Sequence, residues 1–516
     1  MSESAPISTP ANPATSAPPA FERLSKREFT IVIAGLMLAL MLASLDQNIV
    51  GTALPRIVSD LGGLTHISWV VTAFVLTSTV STPLYGKLSD MYGRKKLFHV
   101  SIVIFLVGSI LCGFAQSMVQ LILFRAIQGV GAGGLMPLAQ TAMGDVIEPR
   151  ERGKYQGLFT GVFAFCSVAG PLLGGVITVA LSWRWIFFVN LPVGAVAMAL
   201  IERGLRRPHR ATSHKVDYPG AALLTVGTTA LLLMLSWGGA VYAWDSTIIL
   251  AMIVAAVALG VGFVARQAVA QEPILPLRLF RIRVFSISCS AMGLNTMALF
   301  GAAVFMSLYF QLVMGDGPAV AGLRLTPLMG GVIVSSIVGG RLVSRTGRYK
   351  WFLVGGLFTS MVAFGLLAWA ATARWDRWTL EACLVGVGLG VGLAMPNLTL
   401  STQNAVDRSD LGVATSTLGF FRSLGGAIGV ALSGAILTMG LHELLPPEVM
   451  TGGVASALDQ GAAKIATLSP AAHDMVIEAY RHAIVRTFYA GGTFSGIAFL
   501  VSLGLPNTLL RGRGGH

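Results

Sequence analysis

Charge is scarce in this chain. Only 11% of its 516 residues are Asp, Glu, Lys or Arg, less than half the roughly 25% of an ordinary soluble domain, which excludes a water-facing globular fold. Cysteine is rarer still. Cys112, Cys166, Cys289 and Cys383 stand far apart inside apolar runs, so they are expected to be small buried residues rather than a disulfide framework or metal ligands. The eight histidines fall in loops or near the ends of apolar runs. No cluster of His, Cys, Asp or Glu suits a metal or a nucleophile with its base, so no enzyme, cofactor or metal is expected. A phosphate-binding Gly-x-x-x-x-Gly-Lys-Ser/Thr loop is also missing, because Gly86-Lys87 and Gly153-Lys154 run on into Leu88 and Tyr155, which removes ATP as an energy source. The first twenty residues, rich in Ala, Pro, Ser and Thr, lack the parts of a cleavable signal and read as disordered.

What the chain has in abundance is apolar length. Hydrophobic residues make up 54% and the mean hydropathy is +0.73. A membrane span needs about 20 mainly apolar residues. Fourteen such runs occur, near 30–55, 66–86, 97–115, 118–142, 155–180, 184–202, 217–238, 246–266, 284–313, 320–343, 350–371, 379–401, 411–441 and 483–507. The 61 glycines suit helices packed closely in lipid. The expected fold is therefore an all-α polytopic membrane protein.

The formal charge of +13 invites a nucleic-acid partner until the charges are located. With the N-terminus inside, the inner connections and both tails hold 26 of the 36 Lys and Arg, against 8 in the outer connections, with Arg125 and Arg422 inside spans. That is the positive-inside asymmetry of a membrane protein with both termini in the cytoplasm. No nucleic acid is expected as a partner, and lipid is.

The chain repeats itself. Gly86-Lys87-Leu88-Ser89-Asp90-Met91-Tyr92-Gly93-Arg94-Lys95-Lys96 closes the second span, and Gly340-Arg341-Leu342-Val343-Ser344-Arg345-Thr346-Gly347-Arg348-Tyr349-Lys350 closes the tenth, 254 residues later. Gly129 and Met136-Pro137 of the fourth span return as Gly388 and Met395-Pro396 of the twelfth, 259 residues later. Six helices take roughly 200 residues, so spans seven and eight are an insertion. The expected units are a tail over 1–27, a six-helix bundle over 28–205, two inserted helices within 206–283, a second bundle over 284–507 and a tail over 508–516. Residues 442–482 form the one sizeable outer loop, at about 40 residues too short to hold much of a core. Two such halves with a site between them are a known transporter plan.

Among 23 acidic residues only Asp46 lies well inside a span. An ionisable group at that depth costs at least about 2.5–3.5 kcal/mol on insertion scales, so it faces an interior cavity or pathway and suits proton carriage, or else locks helices together in a fixed ion pair. Asp46 lies about 24 Å along the first span and Arg125 about 10 Å below the outer surface on the fourth, depths that agree across about 30 Å of hydrocarbon. The two can be partners. Arg422 has no buried carboxylate in its half to meet; it faces a central cavity or donates to carbonyls of a broken helix, and both readings stand. Asp90 is expected to meet the positive N-terminal end of a second-half helix near Leu411. Gly170-Pro171-Leu172-Leu173-Gly174-Gly175 combines a helix bend with a Gly-x-x-x-Gly packing face.

Together these segments resemble the major facilitator superfamily, and within it the fourteen-span drug:proton antiporters. Leu45-Asp46-Gln47-Asn48-Ile49-Val50 with Ala53-Leu54-Pro55 resembles the first-helix motif whose Asp belongs to proton coupling. The Gly86–Lys96 segment, with Gly86, Asp90, Gly93 and Arg94, is similar to the loop motif in which the Asp latches the two halves. Arg125-Ala126-Ile127-Gln128-Gly129 resembles the fourth-helix motif, whose Arg is implicated in proton transfer. Gly170, Pro171, Gly174 and Gly175 resemble the antiporter motif of the fifth helix, and Trp183-Arg184-Trp185 with Asn190-Leu191-Pro192 also fits the fourteen-span group. The resemblance covers residues 28–507 and implies the major facilitator fold and proton-coupled export of lipophilic compounds across the cytoplasmic membrane. The proton is then the coupling ion, Asp46 and Arg125 carry it, and Gln47, Gln128 and Arg422 are candidates for the cavity wall. Export of one endogenous metabolite, such as an antibiotic, amino acid or siderophore, is the alternative. One departure is plain: the tenth span, Val320 to Val343, lacks the extra carboxylate of relatives that export multivalent cations, so no preference for cations is assumed. An outer partner, if any, would meet the 442–482 loop.

Overall fold

A computed structural model describes residues 25–62, 66–204, 217–239, 241–445 and 469–510. The far N-terminal tail, residues 205–216, most of the 442–482 loop and the last six residues lie outside the described residues. Among the described residues, fourteen helical stretches long and apolar enough to cross a membrane follow one another: α1 Lys26–Leu61, α2 Ile67–Tyr92, α3 Arg94–Gly113, α4 Met118–Val146, α5 Pro149–Ala180, α6 Asn190–Gly204 (its span beginning at Trp185), α7 Tyr218–Trp237, α8 Thr247–Val269, α9 Arg283–Leu312, α10 Thr326–Thr346 (its span beginning at Val320), α11 Lys350–Thr372, α12 Arg377–Ala405, α13 Leu411–Leu444 and α14 Pro470–Leu503.

Local chemistry sets the ends. Ser25 opens α1 with a reciprocal cap, its hydroxyl accepting from the Glu28 amide while the Glu28 carboxylate accepts from the Ser25 amide. Gly93, at φ +93°, turns α2 directly into α3, and Gly347, at φ +69°, does the same after α10; both turns need the left-handed backbone that glycine adopts without strain. Proline sits inside α1, α2, α4, α5 and α12. Packed neighbours and hydroxyl groups re-satisfy such backbones in a membrane, as where Thr82 donates over 3.0 Å to the Gly133 carbonyl, the acceptor that Pro137 leaves without its amide.

Packing follows the repeat. In the first half α2 and α3 each pack on α4, α1 packs on α5 and α6, and α3 packs on α6. Eight helices later the same pairs recur, α10 and α11 on α12, α9 on α13 and α14, α11 on α14. The halves meet through α2 with α13 and through α5 with α10, again a symmetry-related couple. Helices α7 and α8 pack on each other, and α7 also touches α2 and α13.

Several helices run past the expected spans, α1 to Leu61, α2 to Tyr92 and α5 from Pro149, and three further boundaries differ in kind. The sixth span starts as a separate turn, Trp185–Phe188, and the tenth is preceded by another, Pro318–Leu323. The last helix starts at Pro470 rather than near residue 483, which shortens the expected 442–482 loop. Hydropathy hides this stretch because it carries Glu478 and Arg481. The helix tolerates them because they pair with each other, and Arg374 meets Glu478 at 2.9 Å.

Candidate functional site

Asp46 is fully buried on α1 and is held from three sides. Its Oδ2 accepts from the Arg125 guanidinium of α4 at 2.6 Å, and its Oδ1 accepts from Gln128 and Asn190 side-chain amides, each at 2.8 Å. Arg125, 1% exposed, also donates to the Gln128 side-chain oxygen at 2.8 Å and to the Val70 carbonyl at 3.3 Å. Ser109 closes the network, accepting from Gln128 and Asn190 and donating to the Phe187 carbonyl. The Phe74 ring covers Arg125, 4.0 Å from the guanidinium carbon.

This arrangement brings Asp46 and Arg125 together as their depths anticipated, and it adds residues that sequence did not single out. Asn190 was visible only as part of a motif, and Ser109 and Phe74 carried no signal. Gln128 was a candidate for the cavity wall; that is corrected, because its amide is turned into the Asp46 network and is wholly buried. Among the described residues the second half has no such cluster. The register that matches Gly129 to Gly388 sets buried Leu384 and Val387 where Arg125 and Gln128 stand.

Between the halves lies a cavity of about 790 Å³. Gln47 and Arg422 both line it, so of the two readings of Arg422 the cavity is the one observed. The Arg422 guanidinium crosses to the Met136 sulfur of α4. Phe74 lines the cavity too, so the residue whose ring covers Arg125 also borders the open space. The lining reaches Val71, Gly239 and Thr438, close to the helix ends at one face of the protein. Towards the opposite face, where the basic turns lie, it stops at Thr82, Gln140 and Gln156.

The basic face is shut by contacts between halves. Asp90 Oδ1 and Oδ2 accept from the Gly412 and Val413 amides at 3.2 and 2.9 Å, the N-terminal amides of α13, where a carboxylate is favoured. Arg94 braces Asp90 at 3.3 Å and also pairs with Asp145. Ser344, at the position equivalent to Asp90, makes the matching contact, its hydroxyl accepting from the Lys154 amide near the start of α5 at 3.0 Å. Glycine is needed at these crossings. A Cβ on Gly86 would stand 1.9 Å from the Ser416 hydroxyl, and one on Gly340 2.2 Å from the Gly153 carbonyl.

The fifth-helix segment divides. A Cβ on Gly170 would stand 2.7 Å from that of Asn48, and one on Gly174 2.3 Å from the Thr52 hydroxyl, so these two press α5 onto α1 beside Asp46. Pro171 is exposed and nothing lies within 4 Å of a Cβ on Gly175, so this pair is not brought into the contact.

Comparison with known proteins agrees with this architecture. A family model described as Major Facilitator Superfamily matches residues 36–430. The multidrug transporter protein MdtP of Bacillus subtilis strain 168 is 39% identical over 426 residues, covering 83% of this chain and 78% of that protein. Multidrug resistance protein 3 of the same organism is 36% identical over 410 residues, 79% of each. Among solved structures, the human organic anion transporter MFSD10 is similar with a TM-score of 0.62 at 14% identity, covering 93% of this chain and all of that one; at that identity the likeness concerns the fold alone.

Proposed function

The chain belongs to the Major Facilitator Superfamily, is a transporter and not an enzyme, and from that premise we propose that it exports lipophilic compounds by exchanging them for protons. In this reading the chain spans the inner membrane with its basic face in the cytoplasm, which the positive-inside asymmetry supports. The cavity is then open outward and latched at the cytoplasmic side. The observation that carries the reading is the isolated Asp46–Arg125 pair, fully buried in one half and one aromatic ring away from the cavity. The curated relatives named as multidrug proteins support export as the direction.

In this cycle a proton from outside neutralises Asp46 and weakens its hold on Arg125. Protonated Asp46 has one oxygen that donates, yet that oxygen faces amide or guanidinium donors, so the cluster must rearrange. Rearrangement loosens α1 against α4, and α5 rides on α1 through Gly170 and Gly174. The same α5 carries the contact with α10, so the change is passed to the cytoplasmic closure. Compound entering from the cytoplasm favours release of the proton there and return to the outward form.

The test is a panel of dyes and antibiotics in a strain stripped of its own pumps. Expression should lower intracellular dye, and a protonophore should abolish the difference. Export that persists with the proton gradient collapsed would refute the exchange.

A further inference from the structure

The charge inside the cavity has one sign. Among the described residues that line it there is no Asp, Glu, Lys or His, and Arg422 is the one charged group. No carboxylate stands within ion-pair distance of its guanidinium among the described residues, and its contact there is the Met136 thioether, a weak acceptor. A second donor is idle in the same cavity wall. Gln156 is 1% exposed, lines the cavity, and its side-chain nitrogen has no hydrogen-bond partner. Buried donors are normally satisfied, so the buried Gln156 amide without an acceptor, in one cavity with a half-buried Arg422 guanidinium that meets only a weak one, makes a binding surface awaiting an anion. The rest of the wall is mainly apolar, with Phe159, Phe163 and Phe300 among the larger side chains, and its other polar groups are uncharged hydroxyls and amides such as Ser44, Gln47 and Thr79. Those rings could hold a cation by its charge, but only weakly, and against the repulsion of Arg422.

Building on the export reading above, we propose that this cavity selects lipophilic monoanions, meaning carboxylates, sulfonates or phenolates carried on an apolar body, over organic cations, with Arg422 supplying the selecting charge and Gln156 a second donor. The apolar body packs against the phenylalanines, and the anionic head satisfies the two idle donors. Asp46 takes no part in this choice, because its charge is spent on Arg125, Gln128 and Asn190 behind Phe74.

Equilibrium binding to the purified full chain in lipid nanodiscs at neutral pH tests this with three probes on one ring system: naphthoate, naphthylmethanol and naphthylmethylammonium. Naphthoate should bind at least about tenfold more tightly than the ammonium compound. Arg422→Gln should erase most of that difference, Arg422→Lys should keep part of it, and Gln156→Leu should weaken naphthoate alone. The neutral alcohol reports in each variant whether the cavity is intact. The proposal is overturned if the ammonium compound binds as well as naphthoate, if naphthoate does not bind, or if Arg422→Gln leaves the preference in place. Binding needs no proton gradient, so these outcomes leave proton-coupled export to be judged by its own transport assay.

Discussion

Replacing Asp46 by Asn keeps the shape of the side chain and removes its charge. In the structure that carboxylate receives three donors, from Arg125, Gln128 and Asn190, at 2.6 to 2.8 Å. Asparagine offers one acceptor and turns two hydrogens of its own towards those donors, leaving the guanidinium buried without a counter-charge. Removing one partner of a buried pair costs about 3–5 kcal/mol, whereas exchanging both for apolar groups of similar size is often neutral. Asp46→Asn should therefore lose thermal stability, and Asp46→Asn combined with Arg125→Met should recover most of it. Coupling should behave differently. One proton moving down one pH unit supplies about 1.4 kcal/mol, enough for roughly a tenfold concentration ratio of exported compound. Proteoliposomes with wild-type protein should approach that ratio for each proton exchanged, while both variants should bind dye and equilibrate it to a ratio near one. The assay follows dye accumulation and compound-induced proton release together. Proton release at the wild-type level in Asp46→Asn, or restored uphill transport in the double variant, would refute the assignment of Asp46 as the coupling group.

Three further outcomes follow from the closed face and the α1–α5 contact. Asp90→Asn weakens two charge-assisted bonds to Gly412 and Val413, worth about 1–3 kcal/mol, so distances between spin labels at Lys96 and Arg348 should shift to longer values while compound still binds; an unchanged distribution would refute the latch. Gly340→Ala puts a Cβ 2.2 Å from the Gly153 carbonyl, and the same labels should report a wedged-open basic face with reduced dye export. Gly174→Ala, whose Cβ would stand 2.3 Å from the Thr52 hydroxyl, should lose most transport, whereas Gly175→Ala should stay close to wild type; equal loss in both would show that the α1–α5 contact is not the reason.

Much of this was legible in sequence because lipid imposes coarse rules. Each span must be apolar over its whole length, so fourteen of them could be counted, and a charge at depth must find a partner, so Asp46 pointed to Arg125. Asp90 pointed to a helix start near Leu411 because the turn that carries it has an acidic group its repeat lacks. Where the chain is helical but polar, hydropathy is blind. The start of α14 at Pro470 was missed because Glu478 and Arg481 cancel each other in space, not in composition. Gln128 was misplaced for a related reason: residues three apart on α4 share a face, so Gln128 follows Arg125 into the network instead of facing the cavity. Ser109 and Asn190 are single small polar residues on α3 and α6, and only the folded packing shows that both reach the same carboxylate.

Among the described residues, the side chain shared by the cavity and the buried cluster is Phe74, and its position constrains how exchange can be coupled. Its ring lies over Arg125 at 4.0 Å and lines the space a compound would fill. A ring over a guanidinium contributes about 0.5–2 kcal/mol depending on how dry the site is. That is too little to hold Arg125 once Asp46 is neutral, yet enough to bias where the guanidinium goes. A bound compound that shifts the ring thus alters the surroundings of Arg125 without touching Asp46. By reciprocity, the protonation state of Asp46 changes the fit of the ring in the cavity. On the proposed cycle, proton and compound therefore need not compete for one carboxylate. They meet through a wall one aromatic ring thick, which lets an acid buried out of the cavity's reach govern a site whose own charge is positive.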